Sequence, residues 1–319
     1  MDGTVNRREF VVGAAALALA PDALARALGG TPTALVTADL DSHVVAIDLS
    51  TGRRLREIAT LPGPRSIETV VNTAIVGHTT EGAVSIIDGP SLRVRRVLDG
   101  FDEPRYAVGL PNTNYAVVTD SGRGELVVID VKEARVTARV RVDGPARHVS
   151  FDPDRRLAWT ALGNKAERVA VVDLRDPRRP RVTRRFAPPF LAHDVGLVTS
   201  GRRWVTSGSE RRLAVYEGTR RVAVLPAGTP PQHVAFLDGR AFVTSGDDGT
   251  LHVHDVRTGR LLRRTRVPGG SYNVQQGWGM ILIPSLSRGT LCLADRQGRL
   301  VRTTRVARSS HDTSFVMSA

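Results

Sequence analysis

A single cysteine, Cys292, stands in 319 residues, so no intramolecular disulfide and no cysteine-based metal site can form. Its place between Leu291 and Leu293 in an apolar run predicts a buried, inert thiol. Lysine is nearly missing: Lys132 and Lys165 are two of the 45 basic residues, so the formal charge of +13 is carried by arginine. Aromatic residues make up 5% of the chain and form no stripe along the basic segments, which argues against stacking on nucleic-acid bases. The longest apolar run, residues 11–20, is half of the ~20 residues that a helix needs to cross a bilayer. Covalent haem attachment (C-x-x-C-H), a nucleophile elbow (G-x-S-x-G) and a phosphate-cradling glycine loop all lack their residues. Trp159, Trp204 and Trp278 are isolated and form no recurring tryptophan motif.

The first residues read as an export leader. Asn6-Arg7-Arg8-Glu9-Phe10 resembles the twin-arginine motif, the short apolar run follows, and Ala23-Leu24-Ala25 offers small residues for cleavage. The reading is a leader over 1–25, a linker over 26–32 and one domain over 33–319, destined for the periplasm or cell exterior. Twin-arginine routes carry folded cargo, which raises the prospect of a cofactor loaded before export.

What fills the rest is a repeat. Seven times a short apolar strand ends in an acidic residue, turns, and continues into an arginine-rich strand. The acids are Asp48, Asp88, Asp130, Asp173, Glu217, Asp255 and Asp295, standing 40, 42, 43, 44, 38 and 40 positions apart. A period near 40 built from short strands implies a radial array, an all-β seven-bladed propeller with four antiparallel strands per blade. Around Asp130 the four strands are legible, separated by Leu110-Pro111-Asn112, Ser121-Gly122-Arg123-Gly124 and Asp143-Gly144-Pro145. The strands are continuously aliphatic, as expected where neighbouring blades cover both faces.

Tyr115-Ala116-Val117-Val118-Thr119, Ala34-Leu35-Val36-Thr37 and Ala241-Phe242-Val243-Thr244 resemble the second strand of YVTN-repeat propellers, a WD40-like group. The run from Val44 to Gly52 is similar to the same family, whereas the Gly-His pair of WD40 repeats is missing. The resemblance covers residues 33–319 and implies fold, not activity. The chain opens on a second strand and ends with His311-Asp312-Thr313-Ser314-Phe315-Val316, which matches the inner-strand segments His148-Val149-Ser150-Phe151 and His233-Val234-Ala235-Phe236. The C-terminus is therefore expected to supply the inner strand of the first blade and remove the open seam.

Position decides what the charges mean. The arginines cluster on the outermost strand of each blade, where charge prevents edge-to-edge pairing; weak association with anionic lipid or cell-wall polymer is the functional alternative. The repeated acids are expected to accept backbone N–H bonds in the turns that follow them. Inner-strand starts converge on the central channel, and there the chain places Glu68, Arg105, Tyr106, His148, His193, Asp194, His233, Tyr272, Asn273, His311 and Asp312. Alignment of the inner strands sets Asp194 and Asp312 level with His148 and His233, and leaves His193 and His311 one step outward. Such residues can bind a ligand, hold a divalent metal or bond across blades for structural reasons. The reading is an exported, monomeric, non-catalytic binding scaffold whose top face takes a protein, glycan or small molecule, with no nucleic acid and no transmembrane segment. No motif demands a cofactor; a divalent metal is the one these residues could hold, and no catalytic residue is assigned. The alternatives are a lactonase- or lyase-type enzyme with that metal at the channel mouth, and an accessory to a periplasmic redox system.

Overall fold

The computed structural model describes residues 29–198, 201–230 and 232–319. The expected leader lies outside the described residues, and of the expected linker only 29–32 are described. The described residues form twenty-eight strands, β1 to β28 in chain order, grouped in seven antiparallel sheets of four. No helix occurs among the described residues, and none is long and apolar enough to cross a membrane.

The first blade shows how the ring shuts. β1 (Thr31–Ala38) is hydrogen-bonded on one side to β2 (His43–Asp48) and on the other to β28 (Thr313–Ser318), with Leu35 opposite Ser314 and Ala34 opposite Phe315. The last strand is thus the innermost strand of the first blade, as the repeat phase required. The other six inner strands are β4 (Pro64–Val70), β8 (Pro104–Gly109), β12 (Ala146–Asp152), β16 (Ala192–Leu197), β20 (Gln232–Leu237) and β24 (Gln275–Gly277).

The core is divided into seven apolar clusters, one in each gap between adjacent blades. Leu35, Val44 and Ala46 of the first blade meet Ile67, Ala74, Val76 and Ile87 of the second, for example. Every second and third strand is covered on both faces, which is why these strands read as unbroken aliphatic runs rather than alternating ones. Cys292 is fully buried in such a gap, its Sγ 3.3 Å from Thr303 Oγ1. Turn chemistry follows the repeat too. Asp48 accepts from the Ser50 N–H at 2.8 Å, Asp130 from Lys132 and Glu133, Asp255 from Thr258, and Asp295 from Gln297 and Arg299. Glu217 departs from the set and pairs with Arg202 and Arg220 instead.

The outer arginines do more than guard an edge. Arg302 donates to Leu49 O and Ser50 O in the next blade, Arg139 to Gly100 O, Arg185 to Val142 O, and Arg56 to Ser91 O. These guanidinium groups fasten the seventh blade to the first and the first four blades to one another around the circumference. A buried pair does the same between the fourth and fifth blades, where Arg203 Nη2 lies 2.8 Å from Asp152 Oδ2 and the guanidinium lies over the Trp159 ring at 4.4 Å.

Candidate functional site

Backbone irregularity builds the site. In four blades the inner strand breaks register as it starts, between Pro64 and Ser66, Pro104 and Ala107, Ala146 and Val149, and Ala192 and Val195. A bulge of this kind turns side chains that regular pleating would send into the inter-blade gaps. Threonines of the second strands hold the irregular backbone in place. Thr119 Oγ1 accepts from the Tyr106 N–H at 2.9 Å and donates to Arg147 O in the next blade at 2.7 Å. Thr206 links Asp194 N–H to Gln232 O in the same way, and Thr37 links Asp312 N–H to Arg65 O. The family-like threonine of the second strand is therefore a tie between consecutive site positions.

Two tiers result. Tyr106, His148, Asp194, His233, Asn273 and Asp312 share one level and, with Glu68 slightly deeper, line a central cavity of about 440 Å³. The cavity continues along the inner strands to Asp238 and Gly239, in the turn at their far ends. His193 and His311 stand one step outward, behind this level, with Arg105. Tyr272 is carried away from the group, its hydroxyl donating to Asp247 at 2.7 Å. Sequence reasoning missed Arg65 and Arg147, which occupy the same outward step as Arg105; the inner-strand alignment that placed His193 would have found them.

The imidazoles form the densest part. His148, His193 and His233 are all buried, and one nitrogen from each lies within 4.8 Å of the others. Ring centroids are 4.3 Å apart for His148 and His193, and 4.7 Å for His148 and His233; Tyr106 packs on the other side of His148 at 4.3 Å. Neither nitrogen of His148 has a partner of good hydrogen-bond geometry. His193 Nδ1 is 3.2 Å from Asn164 O, and His233 Nδ1 is 3.4 Å from Asp194 Oδ2. Both acceptors call for a proton on Nδ1, which leaves the two Nε2 atoms as lone pairs. Yet these Nε2 atoms face each other at 3.1 Å. Either one proton carried on one of the two nitrogens or a cation beside them satisfies this contact.

Burial sets the charge states around this group. It pushes His148 well below the ordinary imidazole range, aided by His193 and His233, and takes His193 and His311 down to about 3. Burial alone would raise Asp194, but the bond and charge of His233 turn the net shift downward. Asp312 and Glu68 are pushed up to about 6 and about 8, again by burial first, and Tyr106 to about 12. The remaining histidines have local duties. His78 bridges Pro62 O and Ser85, His254 bonds Gly259 O, and His252 accepts from Arg264.

No protein-family model matches the sequence, and no curated protein matches it. Many solved structures share its shape. The dihydro-heme d1 dehydrogenase NirN, solved in complex with DHE, aligns with a TM-score of 0.63 at 16% identity, over 86% of this chain. The chain spans 63% of that protein's length. A Desulfotomaculum acetoxidans protein of unknown function gives a TM-score of 0.77 at 10% identity, covering 90% of this chain and 99% of the other. A Bacteroides fragilis protein proposed to be a 6-phosphogluconolactonase gives 0.72 at 12% identity, covering 90% and 98%. At such identities the likeness is one of fold: the chain is a seven-bladed β-propeller.

Proposed function

We propose that this is an exported propeller of the YVTN-repeat type that binds a ligand in its central cavity, and that His148, His193 and His233 hold a divalent metal ion beside that cavity, at the inner-strand starts. The observation that carries the metal is the gathering of one nitrogen from each of His148, His193 and His233 within 4.8 Å, with His193 and His233 Nε2 3.1 Å apart beside an unpartnered His148. Imidazole ligands lie ~2.0–2.1 Å from zinc, so two of them in a tetrahedral site stand about 3.3 Å apart. Asn164 O and Asp194 supply the outer contacts that fix which nitrogen of a ligating histidine faces the ion. Three neutral imidazoles suit a borderline ion such as zinc and leave a coordination position for a ligand from the cavity.

Binding without chemistry remains the first reading. The lactonase- or lyase-type alternative is favoured by one observation: Glu68 and Asp312 line the same cavity with raised affinities for their protons, as a general acid requires. The redox-accessory reading has only the export motif behind it. Elemental analysis of protein purified without a histidine tag tests the metal directly. One equivalent of divalent ion, lost in a His148→Ala, His233→Ala variant that keeps its fold, supports the site. Metal-free protein that takes up no zinc on titration refutes it.

A further inference from the structure

On the face where inner strands begin, one step outward of His148 and level with His193, three arginines occupy the same position in three consecutive blades: Arg65, Arg105 and Arg147. Each sits within a register break, and the carbonyls of Arg65 and Arg147 are fixed by Thr37 and Thr119. Their guanidinium groups are used differently from those of the perimeter. Outer arginines such as Arg302, Arg139 and Arg185 donate to backbone carbonyls of neighbouring blades or pair with acids, and others such as Arg96 face water. Among the described residues, neither Arg65 nor Arg147 has an ion-pair partner, and the Nε atoms of Arg105 and Arg147 are buried without hydrogen-bond partners. Arg105 meets only Glu103, at 3.0 Å, and that carboxylate is half exposed. Arg65 and Arg105 line a hollow of about 250 Å³ together with Gly63, Thr79 and Thr80, and with the acids Asp39 and Glu103. Asp39 is already engaged by the Ser309 hydroxyl.

Arg65 and Arg105 share the hollow, and Arg147 lies near enough to feel the charge of both, so the group makes a field that favours an anion. Arg147 shows the strain: burial, then Arg105 and Arg65, lower its hold on its own proton. Planar forks of donors match the oxygens of carboxylates and phosphates. We propose that Arg65, Arg105 and Arg147 form an oxyanion site on the top rim, which takes the phosphate or carboxylate group of a small molecule. The site stands on different residues from the histidine triad and does not depend on a metal.

The test uses the full chain stripped of metal with chelator, so that its outcome is independent of the histidine reading. Inorganic phosphate and succinate are titrated separately against chloride at constant ionic strength, by calorimetry and by melting temperature. A saturable rise with one of them is expected, and the anion that produces it names the chemistry. Arg147→Gln is expected to weaken that binding at least tenfold. Arg96→Gln, on an exposed outer strand, is expected to leave it unchanged. Arg65→Gln serves where the Arg147 variant fails to fold. Absence of saturable binding by either anion, or equal binding by the wild type and the rim variant, overturns the proposal.

Discussion

The Nε2 atoms of His193 and His233, forty residues apart in the chain, face each other across 3.1 Å because two adjacent inner strands deliver them to one point. A proton shared between them or a metal ion would each relieve the contact, and the two answers differ in measurable ways.

If a metal is the answer, His148→Ala should cost at least tenfold in zinc affinity while the apo-protein melts within a few degrees of the wild type, because neither His148 nitrogen has a well-formed hydrogen bond to lose. If the cluster is structural, His233→Ala should lower stability by about 1–3 kcal/mol by removing one buried partner from each of Asp194 and His193, with zinc affinity unchanged. Paired melts and zinc titrations of the two variants separate these outcomes.

Glu68 predicts a pH effect on stability. Its folded-state affinity for a proton is raised to about 8, so the stabilising contribution of the proton is complete below its ordinary value of 4.5 and is lost as pH rises through about 8. Between these limits the wild type should lose stability relative to Glu68→Gln. Melts of both proteins in chelator at pH 5 and pH 8.5 check this. A constant difference across the range would contradict the burial of the carboxyl.

Asp152 and Arg203 form an ion pair with side chains 6% and 1% exposed. Asp152→Ala leaves the guanidinium buried without its counter-charge and should cost about 3–5 kcal/mol in denaturant unfolding. Replacing both, Asp152→Ala with Arg203→Met, should recover much of that loss.

Truncation after Ser309 removes β28 and exposes the inner edge of β1. Aggregation or loss of the cooperative transition is expected. A soluble truncation with an unchanged melt would mean that the first blade is stable with three strands.

The fold was legible because repetition carries it: a strand ending in an acid, seven times over, fixes both blade number and phase. Site level was also legible, since alignment of inner strands puts Asp194 beside His148 and His193 behind it. What alignment could not show was the register breaks at Arg65, Arg105 and Arg147, which decide where those side chains point. Nor could composition distinguish an arginine such as Arg302, clasped to two carbonyls of the next blade, from one such as Arg96 that simply faces water. Both look like edge charge in a sequence.

The pairing of Thr31 with Ser318 has a consequence for the order of events during synthesis. A ribosome releases the opening blade with its inner position vacant, and the segment that fills it is made after the other six blades. Six blades can assemble as they emerge, but the opening one waits. Contacts between residues so far apart in the chain are slow to form. Final closure therefore follows synthesis of the other six blades, and until it happens the growing chain exposes β1 to any chaperone that recognises an unpaired strand.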